Sequence, residues 1–128
     1  MILRGGANIY PAEVEAAVVA HPEVLSCVVV GLPDPEFGQR VHAILELAEA
    51  ADAQSIIDGM ADFLADRLSR HKHPESFETV SVGLRDDAGK VRRTLLRDER
   101  AAWLKENRAF RIMPSQSSRF RGGSRARL

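Results

Sequence analysis

The sequence predicts an α+β fold: a small mixed sheet of about three core strands plus a short N-terminal hairpin, covered by helices. Three observations carry that expectation. Residues 24–32 form one continuous apolar run rich in valine, the pattern of a buried strand. Residues 33–38, Pro-Asp-Pro-Glu-Phe-Gly, read as a loop short enough to join that strand to a neighbour. Further on, Ile56, Met60, Phe63, Leu64 and Leu68 recur at helical spacing, so helices are mixed with adjacent strands.

Each element follows from local chemistry. Residues 1–9 read as two short extended arms around Gly5-Gly6, because glycine takes positive φ without a steric penalty. Pro11 suits the first turn of a helix, where its lost N–H costs nothing. Glu13 and Glu15 read as charges favoured by the helix start, with Val14, Ala17 and Val18 on one face. His21-Pro22 stops this helix, since the residue before proline is pushed out of the α region. After the valine-rich strand and its loop, residues 39–47 read as the next strand and residues 54–69 as an amphipathic helix. Residues 77–82 read as a third core strand, residues 84–90 as a turn, and residues 92–105 as a final helix.

Composition narrows the class. The chain has 128 residues, enough for one domain with a modest core. Its formal net charge is zero, which argues against bulk electrostatic binding of nucleic acid or membrane. No apolar run approaches the ~20 residues that span a bilayer. The start of the chain lacks a secretory pattern, and the single cysteine, Cys27, reads as a small core residue in a reducing cytoplasm. From Arg108 onward the chain carries six arginines, with no acidic residue and with serine and glycine interleaved, so residues 108–128 read as a basic, disordered tail after a domain of residues 1–107. A basic tail of this kind also raises the reading of a non-catalytic binding module that uses it on nucleic acid.

Motifs in chain order carry more. Residues 3–15 read Leu-Arg-Gly-Gly-Ala-Asn-Ile-Tyr-Pro-Ala-Glu-Val-Glu, followed by His21-Pro22-Glu23-Val24, Val29-Val30-Gly31-Leu32-Pro33-Asp34 and Phe37-Gly38-Gln39. Lys72 and Pro74 come next, then Asp87-Ala88-Gly89-Lys90-Val91-Arg92-Arg93. Taken together, residues 1–104 resemble the C-terminal domain of the ANL superfamily of adenylate-forming enzymes: acyl-CoA and aryl-CoA ligases, peptide-synthetase adenylation domains and luciferases. Two positions depart from the family pattern: Leu84 precedes Arg85 where proline is usual, and Gln39 stands where glutamate is common.

The resemblance implies a function. In the family a carboxylate attacks the α-phosphate of ATP, giving an acyl-adenylate and pyrophosphate; the small domain then rotates and a pantetheine thiol attacks the adenylate. It implies that Lys90 is the catalytic cation, presented by the loop at Gly89, and that Gly5 and Gly6 line the pantetheine passage. Lysine suits the first role as a compact charge on a long stem. The resemblance further implies ATP and CoA as cofactors of the full enzyme, and Mg2+ held by an N-terminal AMP-binding domain that would be a partner in cis or as a split chain. That domain, with the acyl pocket for the carboxylic-acid substrate, lies outside these residues, so the chain reads as inactive alone. The Gly-Gly-Ala-Asn-Ile-Tyr-Pro version of the first motif points to free CoA as the thiol acceptor, with a carrier-protein pantetheine as the alternative.

The remaining residues carry less. His71 and His73 are spaced i, i+2 and do not share a helical face, so no metal site is read there. His21 and His42 have no nearby ligand in sequence. Arg92 and Arg93 read as a solvated helix face, or as contacts to the phosphates of CoA or to carboxylates of the N-terminal domain.

Overall fold

A computed structural model describes residues 1–81 and 83–115. Five strands and three helices follow in the order β1 (Ile2–Arg4), β2 (Ala7–Ile9), α1 (Pro11–Val19), β3 (Val24–Asp34), β4 (Gly38–Leu47), α2 (Ala53–Leu64), β5 (Ser76–Val80) and α3 (Arg93–Lys105), with one 3-10 turn at Arg70–Lys72. β1 and β2 form the expected hairpin, pairing Ile2 with Ile9 across Gly5-Gly6. The other three strands form one sheet in the order β3-β4-β5, antiparallel in the first pair and parallel in the second. The parallel step is reached through α2, as a parallel neighbour requires a crossover.

The valine run is continuous because both faces of β3 are covered. Cys27 and Val29 pack on one face with Val14 and Val18 of α1, Ile57, Met60 and Leu64 of α2, and Ile2 and Ile9 of the hairpin. Val28, Val30 and Leu32 face the other way, onto Leu96 and Leu104 of α3 and onto Phe110. Three layers result: two helices and the hairpin, the sheet, then α3. Gly31 sits under the hairpin; a Cβ there would meet Ile2 Cγ1 at 3.1 Å and Gln39 Nε2 at 3.0 Å, so a bare backbone lets Ile2 seat on the sheet.

Several boundaries move. The strands flanking the first loop run further than expected, to Asp34 and from Gly38, leaving a turn of three residues. Asp34 closes it by accepting the N–H groups of Phe37 (2.8 Å) and Glu36 (3.1 Å). Pro33 is tolerated because β3 is an edge strand. Leu25 lies in the apolar run but is exposed, because the register shifts between Val24 and Ser26. α2 ends at Leu64 rather than near Ser69: the N–H groups of Arg67 and Leu68 both bond the Leu64 carbonyl, and Leu68 reaches the core through that turn. β5 spans Ser76–Val80 rather than residues 77–82.

The stretch after α3 differs from the expectation of disorder beginning at Arg108. Arg108 N–H bonds the Trp103 carbonyl at 2.9 Å, and the chain then folds back over the sheet. Phe110 packs on the second core face, and Ile112 bridges Phe77 on the outer side of β5. Ser115 donates its N–H to Asp58 at 2.7 Å. Aromatic and aliphatic residues at 110 and 112, with an exposed strand edge to cover, hold this part of a basic segment in place. The rest of the predicted tail, residues 116–128, lies outside the described residues.

Candidate active-site surface

Lys90 ends a turn that closes on itself. The Asp86 carboxylate accepts the N–H groups of Ala88 (3.0 Å) and Lys90 (2.9 Å), Asp86 N–H bonds the Lys90 carbonyl (2.9 Å), and Gly89 N–H bonds the Asp86 carbonyl (2.8 Å). Gly89 has φ +78°, the left-handed conformation that lets the turn close. Residues 85–90 are all exposed. Among the described residues the Lys90 ammonium has no hydrogen-bond or ion-pair partner. Three other cations of the motifs are engaged, Arg4 with Glu75 at 2.7 Å, Lys72 with Glu13 at 2.9 Å and Arg93 with Glu15 at 2.7 Å, while Arg92 is exposed beside the turn.

Gly5 and Gly6 sit elsewhere. Both have positive φ, +55° and +88°, as a tight two-residue hairpin turn demands, and both are exposed. The turn is seated on the β3–β4 connection: Gly5 N–H bonds the Phe37 carbonyl at 2.8 Å, and Leu3 N–H bonds Gln39 Oε1 at 2.7 Å. Gln39, the departure from the family pattern, is thus an amide that accepts a backbone donor. Arg4 fixes the hairpin from the other side, forking onto Glu75 at 2.7 and 2.9 Å with its guanidinium over the Phe37 ring at 4.2 Å. No described contact joins this hairpin to the Lys90 turn. The two candidate elements stand apart: one is the β1–β2 hairpin, the other the connection between β5 and α3.

Three polar residues have places that the sequence did not reveal. Arg93 is paired rather than solvated, with Glu15 on α1. Glu15 accordingly is more than a helix-start charge: it also accepts the Val29 N–H of β3 at 2.8 Å. His42, without a partner in sequence, is fully buried in a polar cluster. Its Nδ1 lies 2.8 Å from Ser76 Oγ and its Nε2 2.8 Å from Glu78 Oε1, while Arg100 forks onto both Glu78 oxygens at 2.8 Å. The faint signal for the cluster was a histidine and a glutamate at inward positions of apolar strands. Of the other histidines, His73 Nε2 lies 3.0 Å from the Leu68 carbonyl and His21 Nδ1 accepts the Glu23 N–H at 3.1 Å.

The cluster is electrostatically lopsided. Burial pushes His42 below its ordinary range, more strongly than the Glu78 carboxylate lifts it. Burial alone would raise the Glu78 carboxyl, but the Arg100 fork and His42 outweigh it and hold it low. The imidazole is therefore neutral, taking the Ser76 O–H at Nδ1 and giving its Nε2–H to Glu78. A histidine whose folded pKa lies below its unfolded value contributes stability above the unfolded value, near 6.5, and loses it as pH falls. Chemical denaturation is therefore expected to show stability falling from about pH 6.5 downward, with further loss below the ordinary carboxylate range as Glu78 is protonated. His42→Gln should flatten the slope between about pH 6.5 and 5; an unchanged slope would mean that another group titrates.

Comparison with known proteins decides the class. Residues 13–90 match the AMP-binding enzyme C-terminal domain, a stretch whose last residue is Lys90. This chain belongs to that family. The C-terminal domain described above is 38% identical over 100 residues to a 2-succinylbenzoate–CoA ligase of Bacillus velezensis, covering 78% of this chain and 20% of the ligase. It is 38% identical over 97 residues to a fatty acid–[acyl-carrier-protein] ligase, ScoC, of Streptomyces coeruleorubidus, covering 76% of this chain and 18% of that enzyme. Among solved structures, the o-succinylbenzoate CoA synthetase of Bacillus subtilis in complex with its acyl-adenylate intermediate superposes with a TM-score of 0.64 at 35% identity, over 76% of this chain and 19% of that one. The fold is therefore that of the C-terminal domains of adenylate-forming ligases, and the chain spans about one fifth of the relatives it matches.

Proposed function

We propose that this C-terminal domain is the lid of an ATP-dependent acid–CoA ligase, working with an N-terminal AMP-binding domain in cis or as a separate partner. One observation carries the reading: Lys90, exposed and without a partner among the described residues, stands on a self-closed turn, while Arg4, Lys72 and Arg93 of the other motif positions are tied down. In the first half-reaction a substrate carboxylate oxygen attacks the α-phosphorus of ATP, the bond to the bridging oxygen breaks, and pyrophosphate leaves. Negative charge spreads over the reacting oxygens, and the Lys90 ammonium, brought in by domain closure, stabilises it. Mg2+, when bound, neutralises phosphate charge and is held by the AMP-binding domain. In the second half-reaction a thiolate attacks the acyl carbon and AMP leaves. The Gly5-Gly6 turn is the element this reading sets beside the pantetheine arm, where bare backbone lets a narrow ligand pass. Rotation between the two presentations is a rigid-body motion about a hinge outside the sheet, consistent with the lack of contact between hairpin and lysine turn.

Free CoA is the acceptor we favour. The similarity to a carrier-protein ligase keeps protein-bound pantetheine as the second reading. The test joins this chain to an AMP-binding N-terminal domain of its relatives and measures pyrophosphate release over a panel of carboxylic acids, with CoA or pantetheine-loaded carrier protein as acceptor. The expected result is carboxylate-dependent pyrophosphate release and a CoA thioester, with no activity of the chain alone. Transfer to carrier protein only would establish the second reading. No turnover, while the same N-terminal domain is active with its own C-terminal domain, would overturn both.

A further inference from the structure

Among the described residues the Lys90 turn has no polar tie of its own to the rest of the fold, although Leu84 before it and Val91 after it pack on the second core face. Every hydrogen bond described for residues 85–90 closes within the turn. The first polar anchor after it is Arg93, the first residue of α3, and three residues of chain span at most about 10 Å. Wherever Arg93 is held, Lys90 is held within that reach.

Glu15 holds Arg93 at a junction of three elements. It projects from α1, one residue past the buried Val14, and is itself mostly buried, with 14% of its side chain exposed. One carboxylate oxygen, Oε2, accepts the Val29 N–H of edge strand β3 at 2.8 Å and Arg93 Nη2 at 2.7 Å; the other, Oε1, accepts Arg93 Nη2 at 2.9 Å. The carboxylate is thus fixed by backbone before it fixes the arginine. Arg93 meanwhile buries its Nε without a hydrogen-bond partner among the described residues, a cost that a solvated arginine would avoid. α3 is already anchored further along by Arg100 on Glu78 and by Leu96 and Leu104. Arg93 at the helix start therefore adds little to keeping α3 on the sheet and much to where its first turn points.

We propose that the Glu15–Arg93 pair is a positioning clamp for adenylate formation, setting the direction in which the turn before α3 presents Lys90. The proposal rests on the reading that Lys90 serves that step. Neither clamp residue touches substrate; each acts through the lysine. Because a transition-state cation must be placed to within a fraction of an ångström, a loosened turn lowers the rate without removing the charge.

The experiment uses the chain joined to an AMP-binding domain, with Glu15→Gln, Arg93→Gln, Lys90→Ala and, as a control, Arg97→Gln from the exposed Arg97–Asp98 pair. Both half-reactions are measured, the second from supplied acyl-adenylate, together with amide hydrogen exchange over residues 86–92. Each clamp variant is expected to slow adenylation about tenfold at unchanged KM for ATP, to leave thioester formation within about twofold, and to speed exchange in the turn. The double variant should be no slower than either single one, since both remove the same interaction. Arg97→Gln should change neither half-reaction. Wild-type adenylation in both clamp variants with slow Lys90→Ala would overturn the clamp alone. Equal loss in both half-reactions would make the pair merely structural and overturn it too. Normal adenylation in Lys90→Ala would remove the reading beneath the proposal, and the clamp with it.

Discussion

Arg100→Met is expected to lower the unfolding free energy by about 3–5 kcal/mol, the cost of leaving a buried charge without its partner. Arg100 and Glu78 are 4% and 5% exposed, so solvent has little access to replace the lost fork. The stranded Glu78 would keep only His42, a neutral donor, and would be driven to take up a proton. Replacing both ends, with Glu78→Gln and Arg100→Met, should recover most of the loss, since an amide still accepts the His42 Nε2–H and methionine fills the guanidinium's volume. Arg97→Ala, which breaks an exposed pair on the same helix, should cost less than about 1 kcal/mol. Urea denaturation of the full chain checks all three. A cost below about 1 kcal/mol for Arg100→Met would mean that the cluster is far wetter than its burial implies.

Lys90→Ala is expected to have the largest effect on chemistry, slowing adenylate formation by about 10²–10³-fold when the chain is joined to an AMP-binding domain. The estimate rests on one preorganised charge aimed at developing anionic oxygens. The fold should not notice the change: the turn is closed by Asp86 and by backbone, and only the lysine's N–H and carbonyl take part. Its melting temperature should therefore match that of the parent. Arginine at this position should not restore the rate, because a planar fork does not place charge where a compact ammonium does.

Much of the fold was legible because it is written in short-range pattern. A valine run, a proline-rich turn and helical spacing from Ile56 to Leu64 each act within a dozen residues, and the strands and helices appear where those patterns lie. Leu25 escaped because a register shift rotates one residue of an otherwise regular run outward. Residues 108–115 escaped for a different reason: composition reports arginine, but Phe110 and Ile112 decide the packing, and the strand edge they cover is visible only once the sheet is built. The candidate site divides in the same way. Gly5, Gly6, Gly89 and Lys90 lie inside contiguous motifs. Glu15 and Arg93 meet across 78 residues and Glu78 and Arg100 across 22, so neither pairing can be read locally, even where a polar residue in an apolar strand hints at a partner. Polar junctions between elements depend on how layers stack, and no periodicity records that.

The central claim is that this domain delivers a lysine to adenylate formation and a different surface to thioester formation. The most direct measurement is the ratio of the two half-reactions, adenylation from ATP against thioester formation from supplied acyl-adenylate, in the joined enzyme with and without Lys90→Ala. Adenylation slowed by two orders of magnitude or more beside a thioester step within about twofold of the parent is the expected result. Equal loss in both steps, or no loss in either, would contradict the account.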